Sequence, residues 1–145
     1  PIDLAHTGFL TAAAINILKP TIMKRNKIIY WIATLLIFLF ESVMPAFTFN
    51  SEIAKEGISH LGYPDYFRVA FSLFKVAGGL LLVLPFFPPR VKEWAYAGFT
   101  FDFIFAFISL WAVDGLQAMT FFPLIVLAVL AVSYIFYHKT YGRKA

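Results

Sequence analysis

Residues 121–137 read FFPLIVLAVLAVSYIFY, a run without one charged side chain and with Ser133 as its internal polar group. As a helix rising 1.5 Å per residue it would extend about 26 Å, close to the ~30 Å of a bilayer's hydrocarbon core. A strand reading fails, because the run lacks sustained alternation and an open sheet edge leaves unpaired backbone groups in lipid. Three further apolar runs match it in length, over about 28–47, 66–86 and 91–112. Polar or helix-breaking residues separate them: Pro45 and the 50–64 stretch, the Pro85-Phe86-Phe87-Pro88-Pro89 turn, and Asp114-Gly115. The expected fold is therefore all-α, a four-helix integral membrane bundle.

Composition points the same way. The 145 residues are 61% hydrophobic and 14% charged, with a mean hydropathy of +0.78. A soluble domain carries roughly 25% charged residues to keep its surface wet. The aromatic share of 19%, including 18 Phe, suits lipid-facing helices. No cysteine is present, which excludes disulfides, thiolate metal sites and dithiol chemistry. The net charge of +4 does not indicate nucleic acid, because the cations cluster beside the apolar runs. A single transmembrane domain is expected over 23–145. Residues 1–22 read as an N-terminal extension or leader, since Met23-Lys24-Arg25-Asn26-Lys27 resembles a natural start. That extension is apolar enough from Phe9 to Leu18 for a short helix, but not for a span.

Flanking cations orient the spans. Lys24, Arg25, Lys27, Arg90, Lys92, Lys139, Arg143 and Lys144 fall on one side, against Lys55 and Arg68 on the other. Eight against two places both termini and the Pro-rich turn in the cytoplasm. Tyr30, Trp31, Trp94, Tyr96, Tyr134 and Tyr137 stand where a cytoplasmic aromatic belt would lie; Tyr63, Tyr66 and Trp111 stand toward the opposite interface. Between spans one and two, Asn50 or Ser51 can cap a short exterior helix, with Glu52 in its first turn and Gly62 ending it before Pro64. Ile53, Ile58 and Leu61 give that helix one apolar side, so it can rest on the membrane or lid the bundle. The plainer alternative is a simple connector.

Ionisable residues inside spans are costly, at about 2.5–3.5 kcal/mol each on insertion scales, so they are the informative ones. Glu41, Lys75 and Asp102 lie at comparable depths, on the order of 15–20 Å from the cytoplasmic ends of three different spans. Their matching depth predicts a buried cluster. Arg68, Ser72, Lys75 and Gly79 form one stripe at i, i+4, i+7 and i+11; Gly98, Asp102 and Ser109 form another, and Thr34 shares a face with Glu41. Arg68, Ser72 and Ser109 are thus expected to support the cluster, because small and polar stripes let membrane helices approach and hydrogen-bond. Two carboxylates against one ammonium leave an excess negative charge, from which a proton relay or polar ligand site can arise in low dielectric. Alternatively, Lys75 bridges the acids only to set helix register. His6, His60 and His138 are too far apart to hold a metal or haem, and no phosphate loop, nucleophile elbow or HExxH motif occurs.

The segments HLGYP (60–64), Lys75 with Gly78-Gly79, KEWAYAGF (92–99) and Phe101-Asp102 resemble the DoxX-like family over roughly 24–140. The resemblance implies a four-helix bacterial inner-membrane protein, commonly without an assigned biochemical role. Relatives in that family are linked to membrane oxidoreduction, including thiosulfate:quinone chemistry. Where such proteins often carry a Ser-Gly pair in span one and a Ser-His pair late in span three, this chain has Glu41-Ser42 and Ser109-Leu110. Roles resting on that histidine do not carry over.

Three functions compete. The first is a non-catalytic membrane accessory or interaction component, alone with lipid or associated with a membrane partner or further copies of itself. The second is a quinone-binding subunit of a membrane oxidoreductase, with Lys75 and Asp102 at the quinone head. The third is a small proton-linked transporter, for which four spans are few.

Overall fold

The computed structural model describes residues 4–142, which are helical throughout apart from short turns, with no strand among them. Two of the cations used for orientation, Arg143 and Lys144, lie outside the described residues, as do residues 1–3 of the N-terminal stretch. Four helical segments are long and apolar enough to cross a membrane: Leu4–Thr48, Asp65–Val83, Pro89–Asp114 and Ala118–Tyr141.

The first of these holds two departures from the expected pattern. Helix α1 (Leu4–Phe38) runs unbroken through Pro20, so residues 4–22 form no separate short helix but lead directly into the first apolar run. Most of this lead-in is exposed, with Ala13 and, beyond it, Asn26 half-buried, and full burial begins only at Tyr30. Pro45, expected to break the helix, does not. Proline lacks an N–H and its ring crowds the carbonyl four residues back, here that of Glu41. The chain accommodates this with a π-turn at Leu39–Val43, in which Met44 N–H reaches Leu39 O, and helix α2 (Met44–Thr48) continues from it.

Helix α3 (Glu52–His60) follows the local signals. Ser51 Oγ accepts from Ala54 N–H at 3.2 Å, Glu52 opens the first turn, and Gly62 closes the segment at φ +86°, a backbone region that favours glycine. Helix α4 (Asp65–Val83) and helix α5 (Pro89–Asp114) are joined by the Pro-rich turn, with Pro89 supplying a φ already suited to a first helical turn. A short 3-10 turn (Ala118–Phe121) leads into helix α6 (Phe122–Tyr141). There the buried Thr120 donates to Gly115 O at 2.6 Å and accepts from Gln117 N–H at 3.2 Å.

The long helices close a ring in which α1 packs on α6, α6 on α5, α5 on α4, and α4 on the π-turn and α1. Ile37, Leu82, Phe99, Phe103 and Leu130 fill its centre. Tyr30, Tyr96 and Tyr137, placed in an interfacial belt by sequence position, are core residues only 1, 3 and 7% exposed. There Tyr96 OH lies 2.7 Å from Ser133 Oγ, and the rings of Tyr30 and Tyr96 both lie against that of Tyr137. The outward surface is apolar instead, with Phe74, Trp94, Phe101 and Ile125 all exposed, as contact with hydrocarbon requires.

Candidate functional site

The π-turn determines where the first carboxylate points. A widened turn advances the side chains by less than an α-turn, and both Glu41 and Ser42 are buried as a result. Ser42 Oγ donates to the carbonyl of Lys75 at 2.6 Å, fastening the π-turn to α4. One turn further along α4, Gly79 makes that approach possible: a Cβ there would lie 1.8 Å from Ser42 Oγ and 2.6 Å from Ser42 Cβ. No side chain larger than hydrogen fits without displacing Ser42.

Across this tight contact Lys75 Nζ donates to Glu41 Oε2 at 2.6 Å and lies 3.4 Å from Asp102 Oδ2. Three elements, the π-turn, α4 and α5, thus converge on one ammonium. The Lys75 Nζ also stands 4.8 Å from the centre of the Phe71 ring, a cation–π contact. The three side chains are 12% (Glu41), 19% (Lys75) and 8% (Asp102) exposed. The two ion pairs are unequal. Glu41 has a short charge-assisted hydrogen bond, whereas buried Asp102 Oδ2 is within ion-pair range yet receives no hydrogen bond from the described residues.

The three residues expected to support this cluster are elsewhere. Buried Arg68 donates through Nε and Nη2 to Asp65 Oδ1 at 3.2 and 2.9 Å, and through Nη1 to the Phe49 carbonyl. Ser72 Oγ bonds back to Arg68 O at 2.8 Å, within its own helix. Ser109 Oγ pairs with Tyr63 OH at 2.6 Å, tying the segment after α3 to α5. Gly98, grouped with Asp102 by spacing, faces outward with nothing within 4 Å of a Cβ. Helix α5 instead buries Lys92, Ala95, Tyr96, Phe99 and Phe103, a face rotated from the expected stripe because the aromatic residues take the core.

A second polar layer was not anticipated. Ser133 Oγ lies 2.7 Å from both Thr34 Oγ1 and Tyr96 OH, and all three residues are buried. It joins α1, α5 and α6 about two helical turns along α1 from Glu41, roughly 10 Å. Thr34 on the Glu41 face and Ser133 alone in an apolar run were its visible signals. Lys92, counted as a flanking cation, is 7% exposed; it donates to Leu82 O at 3.0 Å near the end of α4 and approaches the Tyr137 ring. An ammonium on the last carbonyls of a helix satisfies an orphan acceptor and complements the helix dipole.

The histidines serve as ties between elements. His60 Nε2 is 2.6 Å from Asp114 Oδ1, and His138 Nε2 is 2.7 Å from Glu93 Oε1. Among the described residues, no group of three or more His, Cys, Asp or Glu is placed to hold a metal ion.

A family model described as the DoxX-like family matches residues 29–133, more than half of the chain and a span that contains Glu41, Lys75 and Asp102. No curated protein and no solved structure matches the chain.

Proposed function

Because the chain belongs to the DoxX-like family, we propose that it is a bacterial inner-membrane protein of four spans, both termini cytoplasmic, acting as a non-catalytic accessory or interaction component. In this reading residues 23–145 are the transmembrane domain and residues 1–22 an N-terminal extension or leader. The observation that carries it is the single Lys75 ammonium held between two carboxylates from two other elements. Such an arrangement makes the register of three helices interdependent. Short loops and an apolar outer surface suit a component whose neighbours are lipid and other membrane proteins.

The second reading, a quinone-binding subunit, draws on Asp102 Oδ2, which is buried without a hydrogen bond from the described residues and would accept one from a ligand hydroxyl. Purification in mild detergent, followed by mass spectrometry of bound lipids and quinones, separates the two readings. The parent is compared with the neutral Glu41→Gln/Lys75→Met/Asp102→Asn variant. The accessory reading expects both forms to fold and to carry only bulk lipid. A stoichiometric quinone in the parent, absent from the folded variant, would replace that reading with the second.

A further inference from the structure

Beneath α3 the bundle has a cleft of about 390 Å³, bounded by α2, α3, α4 and the far part of α5. Its walls are apolar: Pro45, Ile58, Leu61, Phe71 and Leu110. At its α4 side stands Arg68, whose side chain is only 6% exposed. Three of the guanidinium's five N–H groups reach Asp65 and the Phe49 carbonyl, and the other two have no acceptor among the described residues. Asp65 itself is 79% exposed, so the pair is open to water on one side while the guanidinium is covered on the other. A buried cation with spare donors beside an apolar hollow calls for an acceptor that brings its own apolar body.

We propose that this cleft binds a single-chain amphiphile with an acidic head, the head on Arg68 and the chain along Phe71 and Leu110. A guanidinium recognises a carboxylate or a phosphate ester through paired, charge-assisted hydrogen bonds. The volume falls in the ~300–1,000 Å³ range of small-ligand sites, which suits a molecule with one aliphatic chain. Polarity along α4 gives the orientation. Arg68 occupies the first turn of the helix, with Phe71 and Ser72 one turn further in, so a bound molecule has its head at the helix end and its tail toward the middle. The amphipathic α3 covers the cleft, held by Tyr63 to Ser109 and His60 to Asp114. Phe71 lines the cleft on one side and meets Lys75 Nζ on the other, which separates this site from the charged triad. Binding in the cleft does not depend on what the triad does.

The test is native mass spectrometry of the full chain in mild detergent, titrated with palmitate, hexadecyl phosphate and the neutral hexadecanol. The expected result is one molecule bound per chain, with the preferred acid about tenfold or more tighter than the alcohol. Whichever acid binds more tightly identifies the source, a free fatty acid or a phosphate-headed lipid. Arg68→Gln should remove the preference for acids while leaving hexadecanol binding unchanged. Gly57→Leu fills the cleft from α3, where a Cβ meets nothing within 4 Å, and should abolish binding of all three in a folded protein. If Arg68→Gln does not fold, Gly57→Leu decides. Parent binding of acid no tighter than alcohol, or unchanged binding in Gly57→Leu, would overturn the proposal.

Discussion

A charge inside a bundle of this kind is defined by its partners. Removing one member of a buried ion network leaves the others uncompensated, at a cost of about 3–5 kcal/mol, whereas neutralising all of them together can be nearly free. Lys75→Met alone is therefore expected to lower thermal stability in detergent sharply, leaving Glu41 and Asp102 facing each other without a cation. Adding Glu41→Gln and Asp102→Asn should recover most of the loss. A triple variant as unstable as the single one would show that Lys75 contributes through packing rather than charge. The glycines make a second contrast. Gly79→Ala must displace Ser42 and is expected to cost about 1–3 kcal/mol. Gly98→Ala, with open space at its Cβ, should be neutral or slightly stabilising, since alanine is the better helix former. Thermal melts of the two variants side by side check this. Spacing alone grouped both glycines with polar stripes. Only packing distinguishes the one that permits a helix contact from the one that does not.

At the level of elements, capping chemistry is local and so was readable in the sequence. Ser51 before Glu52, with Gly62 beyond, marks the start and end of α3. Ser51→Ala should cost about 1 kcal/mol. Hydrogen exchange should quicken in α3 and leave α4 to α6 unchanged; uniform quickening would mean that α3 is integral to the bundle's global stability. The π-turn was less legible. Pro45 was visible as a disturbance, but proline in a helix can break it, kink it or shift its hydrogen-bond register. Here Ser42 bonded to the Lys75 carbonyl, and Glu41 bonded to the Lys75 ammonium, favour the register shift, and both contacts lie more than thirty residues away in sequence.

For the whole molecule, the orientation in the membrane rests on cation counting, and the absence of cysteine makes it directly measurable. Glu56→Cys, at an exposed position on α3, is expected to react with a membrane-impermeant maleimide in intact cells. Phe86→Cys, at an exposed position in the Pro-rich turn, should react only after the membrane is opened. The reverse pattern would invert the topology. Hydrophobic length, the breaks between runs and the membrane-level charges are properties of the chain itself, because lipid selects them residue by residue through transfer energy. The helical architecture and the identity of Glu41, Lys75 and Asp102 as unusual residues follow from that alone. Tertiary structure decided which face of each helix turned inward. It buried Lys92 and three tyrosines that sequence position assigned to the interface, and it sent Arg68, Ser72 and Ser109 to other partners. It also assembled a hydroxyl layer around Ser133. Those outcomes depend on the competition among many side chains for a limited interior. A helix that is apolar on all sides has no polar face to mark which side must turn outward, so its inward face is settled only by what the neighbouring helices present to it.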